Sequence, residues 1–238
     1  MRWLLPFLLL AAPAAAEIRS AGDCATAIAA DPARAREEAA VWQRLGGGTP
    51  ASLCEADALA ATGAHGTAAA LLTNLARDPN RAIPNDARAV ILADAASQWL
   101  AAERPDLARS TLAAADALVP PDTARLVLAA RIAAALDDWP AAQTSLEAAI
   151  AREPGDALTH ALLAAALRHQ DDPAAALAEA RTALTLAPDL PEAAFEAGAA
   201  RAESGDSPGA AAAWLALIRD HPDDPLAAAA RANLQRLN

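Results

Sequence analysis

The stretch PEAAFEAGAARAESGDSPGAAAAWLALIRDHPDD, residues 191–224, reads as two helices folded back on each other. Apolar residues fill both halves, Gly205-Asp206-Ser207-Pro208 breaks them in the middle, and Pro222 closes the unit. Proline cannot continue a helix, and an aspartate just ahead of a helix accepts hydrogen bonds from its orphan amides. The closing proline recurs: Pro120, Pro154, Pro188 and Pro222 stand 34 residues apart, and a fixed period of this length is the mark of a repeat architecture. Each is followed within two residues by an aspartate, Asp122, Asp156, Asp189 and Asp224, which is expected to cap the next helix. The central break recurs as Asp137-Asp138-Trp139-Pro140 and Asp171-Asp172-Pro173. The repeat unit is therefore a helical hairpin.

Composition points the same way. Of 238 residues 55% are hydrophobic but only 3% aromatic, with 2 Phe, 5 Trp and no Tyr, and alanine is by far the commonest residue. Alanine has the highest helix propensity, whereas strands favour β-branched and aromatic side chains. This argues against all-β and doubly wound folds. The formal charge is −11, from 30 acidic and 19 basic residues, and every basic residue is Arg. That balance makes nucleic acid and anionic lipid headgroups poor partners. The absence of Lys removes Schiff-base chemistry and a Lys-dependent phosphate loop.

The unit at residues 191–224 resembles the tetratricopeptide repeat. Gly198 sits at the small site of the first helix, Gly205 at the turn, Ala210 and Trp214 in the second helix, and Pro222 at the close. Ala164, Ala176, Ala180, Ala183 and Pro188 match in the preceding unit, and Ala130, Ala142, Leu146, Ala149 and Pro154 in the one before. Small residues there let two helices approach closely. The aromatic expected near the end of the first helix is replaced by Ala133, Leu167 or Arg201, so packing should be leaner than usual. A further unit upstream keeps it as Trp99, with Ala96, Pro105, Ala108, Leu112 and Ala115 in register, and Pro84 lies 36 residues before Pro120. Two extra residues are thus expected ahead of its first helix.

Four such repeats are expected over residues 84–224. Residues 49–83 read as a degenerate hairpin, with Gly63 at its turn and Ala68, Leu72 and Leu75 at core spacing, followed by a linker. Residues 225–238 read as a C-terminal capping helix, and residues 17–48 as N-terminal capping helices, one over Asp23 to Ala30 and one from Asp31-Pro32 to Arg44. The expected fold is an all-α, right-handed α-solenoid of hairpins capped at both ends.

Residues 1–16 carry Arg2, an apolar run from Trp3 to about Ala12, and Ala14-Ala15-Ala16. This is the pattern of a cleavable signal peptide, which implies a periplasmic or secreted protein and no stable membrane insertion after cleavage. The run is shorter than the ~20 residues of a spanning helix; an uncleaved anchor is the alternative. A lipoprotein reading is weaker, because Asp23 precedes Cys24. In an oxidising compartment the two cysteines, Cys24 and Cys54, are expected to form a structural disulfide, contributing roughly 3–4 kcal/mol by the chain-entropy estimate.

Catalytic chemistry finds little support. Gly46-Gly47-Gly48 has neither a preceding strand nor G-x-G-x-x-G spacing, and reads as a helix stop and flexible connection. His65, His160, His169 and His221 form no H-E-x-x-H motif, and Ser110, Ser145 and Ser204 lack G-x-S-x-G context. No catalytic residue, metal or cofactor is expected. Trp42, Trp99, Trp139 and Trp214 read as core fillers.

The resemblance implies a concave groove lined by the first helix of each hairpin, where a peptide would bind. The candidates there are Arg131, then Arg168 and His169, then Glu192, Phe195 and Glu196, with Arg88 and Gln98 upstream. Arg131 and Arg168, one repeat plus three residues apart, are expected to face one channel and take an acidic or C-terminal carboxylate segment. The function expected is a non-catalytic periplasmic scaffold or adaptor. The alternative is a periplasmic chaperone or maturation factor holding an exported client, as in a cytochrome c maturation-like role. An enzyme accessory of superhelical form would need a catalytic domain, for which no stretch of chain is left over.

Overall fold

A computed structural model describes residues 18–237, and the leader read at residues 1–16 lies outside the described residues. The described residues form thirteen helices and no strand. They divide into two compact units, one ending at Ala82 and one beginning at Ile83. Among the described residues no helix is long and apolar enough to cross a membrane.

The first unit holds α1 (Ala21–Ala30), α2 (Pro32–Arg44), α3 (Gly48–Ala61) and α4 (His65–Arg77). Asp31 caps α2 through the amide of Arg34, with Pro32 in its first turn, as the sequence suggests. Helix α3 packs against α1, α2 and α4. Cys24 on α1 and Cys54 on α3 form a disulfide with Cα atoms 5.8 Å apart. Both half-cystines are buried among Ile18, Ala35, Ala39 and Ala58.

The glycine run is no flexible connection. It is a tight turn from α2 into α3 with Gly46 and Gly48 at positive φ, and a Cβ on Gly47 would lie 2.7 Å from both the Trp42 ring and the Ala51 methyl. Glycine is required there because the backbone runs against an indole.

The second unit holds four hairpins and a last helix: α5 (Asn85–Ala101) with α6 (Pro105–Asp116), α7 (Thr123–Ala134) with α8 (Trp139–Ile150), α9 (Ala157–Arg168) with α10 (Pro173–Leu186), α11 (Pro191–Glu203) with α12 (Ser207–Asp220), and α13 (Pro225–Leu237). Helix α5 is the longest first helix, which absorbs the extra residues after Pro84. Every second helix carries Pro in its first turn. Three of them are capped by an aspartate carboxylate, Asp138, Asp172 or Asp206, accepting from the amide three residues on. The residue that reverses the chain inside each hairpin is left-handed: Glu103, Asp137, Asp171 and Gly205, again 34 residues apart.

Between hairpins, Asp122 and Asp156 cap α7 and α9 as expected, and Asp224 accepts from the Leu226 amide at 2.7 Å. Asp189 does not cap α11. Leu190 occupies that position, and its side chain has no oxygen to accept a bond, because α11 begins only at Pro191, two residues after Asp189. The loop carbonyls are braced from the next first helix. Arg125 donates to the Val119 and Pro120 carbonyls and pairs with Asp116 at 2.9 Å, a His160 ring nitrogen lies 3.1 Å from the Pro154 carbonyl, and Arg231 donates to Pro222 at 3.2 Å.

The small sites are where the helices meet. Ala164, Ala176, Ala180, Ala183, Ala197 and Ala210 are fully buried. In the last hairpin Gly198 faces Trp214, whose indole N–H donates to the Phe195 carbonyl at 3.1 Å. A Cβ on Gly198 would lie 2.6 Å from Trp214 Cδ1. Where the expected aromatic is Ala133, a hollow opens beside Leu112 and Ile132.

Two outcomes test this packing. Gly198→Ala is expected to lower stability by about 1–3 kcal/mol through overpacking, whereas Gly155→Ala, with open space around it, is expected to leave the melting temperature almost unchanged. Non-reduced protein is expected to show no alkylatable thiol by mass. Cys24→Ala with Cys54→Ala is expected to destabilise the first unit by about 3–4 kcal/mol, read as earlier proteolysis within residues 18–82 and not within residues 83–237.

Candidate peptide-binding groove

The first helices of the second unit share one face: α5 touches α7, α9 lies side by side with α11, and α11 touches α13. Helices α7 and α9 barely touch. Between them lies a cavity of about 270 Å³ walled by Leu100, Ala134, Leu146, Leu162, Ala165 and the Trp139 ring, with Arg131 as its only charged liner. Arg131 is exposed, and its guanidinium is not paired among the described residues.

Trp139 packs against the buried cluster of Ala130, Ala142, Leu146 and Leu163, as the sequence suggests, and does more besides. Half-buried at the start of α8, it stacks on His169, with ring centroids 3.8 Å apart and planes within 2°. Gln170 donates from its amide to the Trp139 carbonyl at 3.4 Å and to Gln143 at 2.9 Å. The indole wall of the cavity is thus held from two sides.

Arg168 departs from expectation. Its Nε donates to Glu196 at 2.8 Å and its Nη1 to Glu203 at 3.0 Å, both on α11. Arg168 and Glu196 are mostly buried, with side-chain exposures of 16% and 11%. Burial works against the guanidinium's charge, but the hydrogen bonds and charges of Glu196 and Glu203 outweigh it and raise its pKa above the ordinary value. Arg168 is therefore a clasp between α9 and α11 and no free cation, since two carboxylates already satisfy it. Nor do Arg131 and Arg168 share a hollow. Arg168 borders the next one, about 370 Å³, with Phe195, Glu203, Trp214, Arg236 and Leu237.

The other candidates are dispersed. His169 is the stacked partner of Trp139. Glu196 is spent on Arg168. Glu192 lies half-buried in the first turn of α11, clear of both hollows. Arg88 donates to the Ile83 carbonyl at 3.0 Å and braces a loop, and Gln98 is half-buried on α5; neither lines the cavity. Sequence reasoning missed Trp139, Leu162 and Ala165 as cavity walls. The signal lay in the register: one repeat of 34 residues before Arg168, Glu196 and Glu203 stand Ala134, Leu162 and His169. The cavity occupies the place where the next interface has its ion pair.

No protein-family profile and no curated protein matches this sequence. Solved structures do. The chain is similar to Cut9–Hcn1 of the APC/C hetero-tetramer, with a TM-score of 0.70 and 18% identity over 92% of this chain and 43% of that one. The fold is that of the tetratricopeptide-repeat proteins. YrrB, described as a tetratricopeptide-repeat protein with an unusual peptide-binding site, aligns with a TM-score of 0.58 and 16% identity over 76% of this chain and 91% of that chain. The C-terminal part of a tetratricopeptide repeat-containing protein from Cytophaga hutchinsonii aligns at 0.63 and 15%, over 92% and 95%. The chain thus spans less than half the length of Cut9–Hcn1 and nearly all of the other two. The face built by α5, α7, α9, α11 and α13 is the first-helix face of this tetratricopeptide-repeat fold.

Arg168→Ala is expected to cost about 2–3 kcal/mol, because it strands the Glu196 carboxylate in a mostly buried position. Adding Glu196→Leu is expected to restore most of that loss in a denaturant titration. A role confined to ligand contact would leave stability unmoved in both.

Proposed function

We propose that this protein is a non-catalytic scaffold of the bacterial cell envelope that binds a protein or peptide partner on the first-helix face of its second unit. The observation that carries the reading is the preformed apolar cavity between α7 and α9 with an unpaired arginine at its rim. Pockets that are concave, mostly apolar and furnished with a few polar groups are where ligands bind. The tetratricopeptide-repeat fold supports a protein-interaction role. The apolar leader of residues 1–16 and the Cys24–Cys54 bridge support an exported location. Among the described residues no group of three or more His, Cys, Asp or Glu side chains is placed to hold a metal.

A photo-crosslinking residue at exposed Ala135, one turn on from Arg131, is expected to capture one discrete partner in intact cells, whereas the same residue at exposed Arg181 on α10 is expected to capture none. The protein itself is expected to begin at Glu17 and to fractionate with the periplasm. Capture from Arg181 alone would move the site to the opposite face. A continuous smear of clients from Ala135 would favour the holding of unfolded exported proteins over a single partner.

A further inference from the structure

The cavity between α7 and α9 is informative because of what its neighbour holds. At the α9–α11 interface the long Arg168 side chain reaches across to Glu196 and Glu203 and draws the two helices together. One repeat earlier the corresponding residues are Ala134, Leu162 and His169. A methyl group stands where a guanidinium would be, so among the described residues no ion pair joins α7 to α9, and a hollow of about 270 Å³ is left.

Size limits the occupant. A dry cavity of about 150 Å³ holds a benzene ring, and sites for cofactors or drug-sized molecules run from about 300 to 1,000 Å³. The hollow therefore fits one large apolar side chain and is too small for a nucleotide. Its walls are Leu, Ala and an indole face fixed by the His169 stack.

Charge limits what stands beside that side chain. Arg131 lines the hollow without a protein partner among the described residues. The residues one and two repeats later are Ala165 and Ala199, so the cation is a feature of this hairpin alone. On a chain of formal charge −11, an exposed arginine at an apolar rim is a local attraction for a carboxylate and a repulsion for a cation.

We infer that the hollow between α7 and α9 is an anchor site for a single leucine- or phenylalanine-sized side chain of a partner peptide, with an acidic residue next to that anchor held by Arg131. The inference rests on the peptide-scaffold reading and adds to it the chemistry of the segment recognised. Arg168 takes no part in holding the ligand, because its hydrogen bonds are already made within the protein.

The test uses the mature chain and fluorescent, end-blocked octapeptides of Gly and Ser that carry Phe-Asp, Phe-Lys or Ala-Asp at the centre. Phe-Asp is expected to bind at least tenfold tighter than Phe-Lys or Ala-Asp by anisotropy. Arg131→Glu is expected to reverse the order of Phe-Asp and Phe-Lys. The pair Ala134→Arg with Leu162→Glu transplants the neighbouring clasp into the hollow and is expected to abolish Phe-Asp binding while the melting temperature holds or rises. Should that pair fail to fold, Ala165→Leu fills the same space from one side and is expected to weaken Phe-Asp at least tenfold. Equal binding of Phe-Asp and Phe-Lys, or Phe-Asp binding that survives filling of the hollow in a folded variant, would overturn the inference. If capture from Ala135 persists under either of those results, the anchor chemistry alone is wrong; loss of both peptide binding and capture removes the scaffold reading as well.

Discussion

The close approach of helices at alanine and glycine positions is the constraint on which the rest of this structure depends. An alanine core returns little transfer free energy per residue, so the chain gains stability only where backbones come near enough for many weak contacts to accumulate. The buried Ala164, Ala176, Ala180 and Ala197 at the α9–α10–α11 junction show how such contacts build a core from methyl groups. Gly198 carries the principle furthest, because even a methyl group there would collide with Trp214. The large side chains that remain are used singly, where small ones leave room.

Because the core is so uniform, its interfaces are distinguished by a few long side chains. Arg125 ties the α6–α7 loop, His160 the loop before α9, and Arg168 the α9–α11 seam. These residues sit outside the 34-residue consensus of small sites, and each acts through a geometry that only the folded chain supplies. The same variation between otherwise similar repeats leaves a hollow at the α7–α9 seam, and the candidate site lies there.

This division explains what was legible in the sequence. The hairpins, their turns and most of their caps follow from local chemistry that needs no partner: proline spacing, aspartate before a helix, alanine on the inner faces. Asp189 failed as a cap for an equally local reason: α11 begins one residue too late, which puts Leu190 in the cap position. The site residues depend on which long side chain meets which neighbour across an interface. Arg131 and Arg168 look equivalent in sequence, both arginines on first helices, yet one meets two glutamates from α11 and the other meets none. Trp139 looked like filling because an isolated tryptophan usually is, and only its stack on His169 from the next hairpin turns it into a wall.

The α7–α9 seam also bears on how the second unit comes apart. In a stack whose members touch only their neighbours, unfolding is cooperative to the extent that each joint is strong. Here α8 carries most of the contact to α9, while α7 adds little. Heat or denaturant can then divide residues 83–237 into smaller cooperative blocks, at this joint or at the thinner one before α7. Any side chain that seats in the hollow touches the blocks on both sides of it at once, so occupancy would register as a steeper transition between folded and unfolded chain, a change in sharpness over and above any change in midpoint.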